Sequence, residues 1–114
     1  MKRFPSIKKN QDFQSVYQTG RSCANRQLVM YVKRTDHPGV RIGISVSKKV
    51  GNSVVRHHLT RLIRECFRLH MDMLETGTDI VVVVRAAAKE AEYKTIERAF
   101  LHLCGLHNIF KESK

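Results

Sequence analysis

An α+β fold is what this 114-residue sequence predicts: a two-layer sandwich with a central mixed sheet, helices packed on it, and elements in the order α-β-β-α-β-α. Three observations lead there. Ser53 to Met73 repeats its apolar side chains with a helical period. Ile80-Val81-Val82-Val83-Val84 is a continuous apolar run, which reads as a strand covered on both faces. Arg41 to Ser47 alternates Ile42, Ile44 and Val46 against Arg41, Gly43, Ser45 and Ser47, the period of a half-buried strand. The length is that of one domain, so residues 1–114 are taken as a single unit, with room for one further short strand.

In chain order, Asn10 is placed to cap a first helix with Gln11 and Asp12 in its opening turn. Phe13, Val16 and Tyr17 share one face of it, and Gly20 stands at a left-handed stop. Leu28 to Lys33 forms a strand, Asp36-His37-Pro38-Gly39 a turn, and Arg41 to Ser47 a strand expected to return antiparallel. The Ser53 helix follows, and Gly77-Thr78-Asp79 separates it from the Ile80 strand. A last helix runs from Ala88 to Leu103, with Tyr93, Ile96, Phe100 and Leu103 in phase and Gly105 near its end.

Lys and Arg total 21 against 10 Asp and Glu, a formal net charge of +11. The excess is localised: residues 1–34 carry +7, residues 35–68 carry +5 and residues 69–114 carry −1. A field of one sign over part of a small domain points to a polyanion, nucleic acid or an anionic membrane surface. The apolar runs are strand-sized, well short of the ~18 residues of a membrane span. No apolar stretch follows the basic start Met1-Lys2-Arg3-Phe4-Pro5, so no secretory signal is expected and the cytoplasm is the expected compartment. Cys23, Cys66 and Cys104 are an odd set without a C-x-x-C pair, which fits reduced thiols. Cys66 and Cys104 fall in apolar helical phase and read as core residues.

Winding Ser53 onward at ~100° per residue puts Val55, Leu59, Leu62, Ile63, Cys66 and Leu69 in one arc. Arg56, His57, Thr60, Arg61, Arg64 and Arg68 fall in the opposite arc, with Glu65 the only acid nearby. Solvated helix faces ordinarily mix signs through pairs three or four apart. Arg56 also sits in the first turn, where the helix dipole disfavours a cation. Together these imply an anionic ligand. Ser47-Lys48-Lys49-Val50-Gly51-Asn52, just before, brings two lysines and a Gly-Asn turn to the helix start, a junction suited to phosphate.

The run Lys48-Lys49-Val50-Gly51-Asn52-Ser53-Val54-Val55-Arg56-His57-His58-Leu59-Thr60-Arg61-Leu62-Ile63-Arg64-Glu65 resembles the signature segment of the bacterial ribonuclease P protein subunit family. Asp12-Phe13-Gln14, Val16-Tyr17, Ala24-Asn25-Arg26-Gln27, Gly43-Ile44-Ser45-Val46-Ser47 and Asp79 to Val84 extend the likeness in order along nearly the whole chain. His57 and His58 stand where the family has Asn and Arg or Lys, and Thr60 where it has Lys, so part of this helix's charge depends on pH.

The resemblance implies a sheet with helices on one side and a left-handed βαβ crossover through the signature helix, where general rules would choose right-handed. It implies binding of the ribonuclease P catalytic RNA through Lys48, Lys49, Asn52, Arg56, His57, Thr60, Arg61, Arg64 and Arg68. It implies that the 5′ leader of precursor tRNA lies in a cleft between the sheet and the first helix. Hydrolysis would belong to the RNA with its Mg2+, with no catalytic residue, metal site or tightly bound cofactor in the protein and no obligate protein partner. From the residues themselves, Phe13, Tyr17 and Tyr31 offer stacking faces beside a positive track of Lys8, Lys9, Arg21, Arg26 and Lys33, which suits single-stranded RNA.

Two alternatives compete. A self-sufficient ribonuclease would use His57 and His58 as acid and base, but adjacent helical residues diverge by ~100°. A DNA-binding module would set the Ser53 helix in a major groove, yet only Gln27 and Asn52 suit base-edge readout and no helix-turn-helix spacing precedes it. The acids Asp72, Glu75, Glu90 and Glu92 are scattered, and His102 and His107, five apart, share no helical face.

Overall fold

The computed structural model describes residues 5–111, so Met1 to Phe4 of the basic start lie outside the described residues. Its elements are α1 (Asn10–Thr19), β1 (Arg21–Ala24), β2 (Leu28–Arg34), β3 (Val40–Ser45), α2 (Ser53–His70), β4 (Thr78–Val84) and α3 (Tyr93–Leu106). Short 3-10 turns at Met71–Met73 and Ala86–Ala88 trim the two longer helices relative to the expected limits. The further short strand is β1, which forms a hairpin with β2.

The sheet order is β1-β2-β4-β3, with β4 antiparallel to β2 and parallel to β3. The expected antiparallel pairing of β2 with β3 therefore does not occur, because β4 lies between them. Burial explains the choice. In β4, Ile80, Val81 and Val82 are all fully buried, which only a central strand satisfies, while β3 tolerates the edge with Arg41, Ile44 and Ser45 half-exposed.

Cross-strand register divides the side chains between two faces. Leu28, Met30, Val32, Ile42, Ile80, Val82 and Val84 point to the main core, which α2 closes with Leu59, Ile63, Cys66 and Phe67 and α3 with Ile96, Phe100, Leu103 and Cys104. Val81 points the other way, to Val16 of α1 and Ile7, with Phe13, Tyr17, Tyr31 and Val83 half-buried around them. The helices are thus not all on one side: α1 covers the second face, because Tyr31 and Val81 need cover there.

On α2 the buried arc is rolled relative to the one read from the sequence. Phe67 is fully buried and Leu69 is 52% exposed, since α2 meets both the sheet and α3 and its contact arc turns toward Phe67. At α1, Lys9 rather than Asn10 holds the capping position, without a side-chain cap. Gly20 is extended (φ −80) and not left-handed. Its requirement is closeness: a Cβ there would lie 2.5 Å from the Val16 carbonyl oxygen and 2.9 Å from that of Val32. Arg41 of β3 faces Asp79 of β4 and donates to both its carboxylate oxygens at 2.9 and 2.6 Å, satisfying an acid that is 3% exposed. That pairing raises the Arg41 pKa further.

Candidate nucleic-acid interface

Lys48 and Lys49 are exposed in the turn that leads from β3 to α2. Val50 anchors that turn in the core, and Gly51 passes so close to α2 that a Cβ would meet the Val55 side chain at 2.8 Å. Asn52 is the helix cap: its Oδ1 accepts from the Val55 N–H at 3.0 Å. That bond commits the Asn52 oxygen to the helix, leaving its amide nitrogen for a ligand. Thr60 is committed too, its hydroxyl donating to the Arg56 carbonyl at 2.9 Å.

Arg56 is half-buried on the shoulder of α2, and its Nε is buried with no hydrogen-bond partner among the described residues. Arg61 and His57 are exposed and border a depression of about 400 Å3 with Ser53, Val54 and His58. Arg64, also exposed, lines a smaller pocket with Thr60, Lys8 and Phe13 at the β3 edge, so the signature helix and the N-terminal segment meet there. Within the cationic face Arg68 is paired with Glu65, which accepts from its Nε and Nη2 at 3.0 and 2.6 Å. This bond holds the Glu65 carboxyl below its ordinary pKa.

α1 runs across the second face of the sheet and splits it. On one flank Phe13 and Tyr17 lie with ring centroids 6.4 Å apart, and Tyr17 meets Tyr31 edge-on at 5.0 Å. All three rings are half-buried, and the sheet beyond them carries Val29 and Val83, half-buried as well. On the other flank Lys33 donates to the Ser15 hydroxyl, and Asp12 comes within 3.7 Å of Arg41. A polar cleft of about 590 Å3 opens there, lined by Lys33, Arg34, Asp36, His37, Arg41 and Asp79 among others. Lys33 therefore belongs to the opposite flank from the aromatic rings. Arg26 is at the tip of the β1–β2 hairpin, beside Arg98 and His102 of α3. Lys8 stays with Phe13, and Lys9 is exposed at the start of α1.

The Arg41–Asp79 pair and the neighbourhood of Arg26 were not foreseen. The first had a trace in the sequence, an Arg and an Asp at the same facing parity of neighbouring strands. The second had none, since Arg98 lies in a segment of net negative charge.

The arrangement is poor in catalytic machinery. Burial pushes the Cys66 thiol up to about 12, reinforced by the Glu97 charge and opposed by a hydrogen bond with Tyr93. Burial likewise pushes Cys104 up to about 12, with Cys66 adding to it. Neither is a nucleophile at neutral pH. His57 and His58 border the same depression, yet among the described residues no hydrogen bond orients either ring as an acid–base pair requires. No group of three or more His, Cys, Asp or Glu among the described residues is arranged to hold a metal ion. No described helix is long and apolar enough to cross a membrane.

What remains is a small α+β domain of the polyanion-binding class, with a cationic helix on one face of its sheet and a cluster of aromatic rings on the other. The family model for ribonuclease P matches residues 1–107. The ribonuclease P protein component of Lachnoclostridium phytofermentans is 50% identical over 109 residues, covering 96% of this chain and 94% of the relative. That of Bacillus cereus is 41% identical over 104 residues, covering 90% of each. The solved ribonuclease P protein of Staphylococcus aureus superposes with a TM-score of 0.88 at 39% identity, over 96% of this chain and 100% of the other. The Thermotoga maritima protein does so with a TM-score of 0.79 at 27% identity, over 86% and 93%.

The chain belongs to the ribonuclease P protein family. It is a protein subunit of the ribonuclease P holoenzyme, the ribonucleoprotein endonuclease that processes the 5′ end of tRNA.

Proposed function

We propose that the chain, acting as one RNA-binding domain over residues 1–114, uses its two sides for two RNAs. The α2 side takes the catalytic RNA, through Lys48, Lys49, Asn52, Arg56, His57, Thr60, Arg61, Arg64 and Arg68. The α1 side takes the 5′ leader of precursor tRNA, with Phe13, Tyr17 and Tyr31 stacking on bases and Lys8, Lys9, Arg26 and Lys33 holding the strand. Hydrolysis belongs to the RNA subunit with Mg2+, and the protein contributes by offsetting phosphate repulsion and by gripping the leader. The work is done in the cytoplasm and needs no second protein.

The observation that carries this reading is the exposed face of α2, where Arg61, Arg64 and Arg68 share a surface with one acid. A one-sign face repels itself and is stabilised by phosphate. The α1 side supplies the second half: three half-exposed rings, Phe13 against Tyr17 and Tyr17 against Tyr31, form a platform tolerant of base identity, worth ~1 to 3 kcal/mol per stacked base.

The test is the double variant Phe13→Ala/Tyr17→Ala in the reconstituted holoenzyme. Precursor tRNA should bind much more weakly while mature tRNA, which has no leader, binds as before. Equal weakening of both tRNAs together with a large fall in melting temperature would return the two rings to a packing role.

A further inference from the structure

The far edge of the sheet carries a basic pocket of which the two RNA surfaces above use only Arg26. Asn25, Arg26 and Gln27 at the tip of the β1–β2 hairpin and Thr95, Arg98 and His102 on α3 enclose about 320 Å3, with no carboxylate in the lining. Arg26 and Arg98 are exposed, and neither makes a hydrogen bond or ion pair among the described residues. The carboxylate of Glu97, next to Arg98 in sequence, is engaged elsewhere by His70 and Tyr93 at 2.8 and 3.2 Å. Arg85 adds a third guanidinium, donating to the Asn25 carbonyl at 2.9 Å.

Asn25 gives the pocket its rigidity and its polarity. Its Oδ1 accepts from the Leu28 N–H at 3.0 Å, which fixes the orientation of the amide. Its Nδ2 then donates to the Ala99 carbonyl at 2.9 Å and approaches His102 Nδ1 at 3.1 Å. The hairpin tip is thereby tied to α3, so Arg26 and Arg98 are held as neighbours. His102 Nδ1 is the acceptor in that contact, so its proton sits on Nε2 and the ring is a donor even when neutral. The pocket gathers donors (two guanidinium forks, an imidazole N–H, the Gln27 amide and the Thr95 hydroxyl) and offers an anion almost nothing repulsive.

We infer that this pocket binds a phosphodiester of RNA, held by the guanidinium groups of Arg26 and Arg98 and the Nε2–H of His102. The inference rests on the reading of the protein as a two-RNA subunit, and it moves Arg26 from the aromatic cluster to a separate contact. Forked donors around an uncompensated positive hollow match a phosphate group. The phosphate has two sources, the distal part of the leader or a peripheral strand of the catalytic RNA.

The experiment uses Arg26→Ala/Arg98→Ala in the full chain, with Arg61→Ala as a control for the α2 face. Neither Arg26 nor Arg98 holds the fold, so the melting temperature should not move. Binding to one RNA should fall about tenfold, with its salt slope reduced by about one. If the leader is the source, the loss appears with long-leader precursor tRNA and vanishes when the leader is shortened. If the catalytic RNA is the source, it appears in the binary complex of protein and RNA. Arg98→Lys should recover part of the affinity, since charge returns without the fork.

Unchanged binding of every RNA with the double variant, while Arg61→Ala weakens the binary complex, would overturn the inference and leave the two-RNA reading standing. An acidic protein partner that loses binding while all RNAs keep theirs would overturn it equally. Failure of Arg61→Ala as well would count against the two-RNA reading itself.

Discussion

Glu65→Gln should make the protein bind its catalytic RNA more tightly. Glu65 is the acid on the cationic face of α2, and its two oxygens accept from Arg68 at 2.6 and 3.0 Å. The side chains of Arg68 and Glu65 are 57% and 48% exposed, so the pair is water-screened and its removal should leave the melting temperature nearly unchanged. Neutralising Glu65 removes one negative charge from the interface and frees the Arg68 fork for a phosphate. One added phosphate contact steepens the dependence of log affinity on log salt by about 0.7 to 0.9. A gain of about fivefold to tenfold at 50 mM salt should accordingly shrink about threefold at 200 mM. Titrating labelled catalytic RNA at four salt concentrations reads both quantities. Arg68→Ala should by the same logic weaken binding, because it leaves the Glu65 carboxylate uncompensated on the face, and the gain from Glu65→Gln should disappear in the double variant. Unchanged affinity and slope with Glu65→Gln would refute the reasoning, as would weaker binding, which would make Glu65 the group that positions Arg68 on the RNA.

Other outcomes follow from contacts elsewhere in the fold. In Gly43→Ala the new Cβ would lie 2.6 Å from the Phe13 ring, whose tip has to move; preference for precursor over mature tRNA should fall, measured as the ratio of the two affinities, with only a small change in melting temperature. Arg41→Ala strands the Asp79 carboxylate, whose side chain is 5% exposed, and should cost about 2 to 4 kcal/mol of stability by denaturant titration. His107 donates to the Met30 carbonyl at 2.9 Å, and burial, with Arg21 adding to it, keeps its pKa below the ordinary value, outweighing the bond that raises it. Its contribution to stability is therefore complete above the usual imidazole value of about 6.5 and is lost as pH falls through the lowered one. His107→Gln should flatten that part of the stability profile, followed by thermal melts from pH 8 to pH 5.

The parts of this molecule legible in its sequence are those set by local rules. α2 declares itself through its period and the Gly51-Asn52 turn before it, and β4 through an apolar run that demands cover on both faces. The β2–β3 pairing was misread because adjacency in sequence favours hairpins, whereas the burial demand of β4 is met only by its insertion between them. Leu69 left the expected buried arc and Phe67, assigned to neither arc, joined it, because a helix touching two elements has a contact arc that its own sequence does not define. The site divides the same way. The exposure of Lys48, Lys49, Arg61 and Arg64 could be read from one helix and its approach. Lys33 lying across α1 from the aromatic rings, and Arg26 lying beside Arg98, are products of packing between segments distant along the chain.

The central place of β4 also orders events during synthesis. β3 pairs with no named strand other than β4, and the hairpin of β1 and β2 has no second neighbour until β4 arrives. On the ribosome, then, the cationic helix emerges in full before the sheet that supports it exists. The sheet is complete only once translation has passed Val84, and the core closes only when α3 has followed with Ile96, Phe100, Leu103 and Cys104. The face of α2 proposed for the catalytic RNA consequently carries its charge before it has its support, and it is fixed in place only when β4 and α3 have joined it.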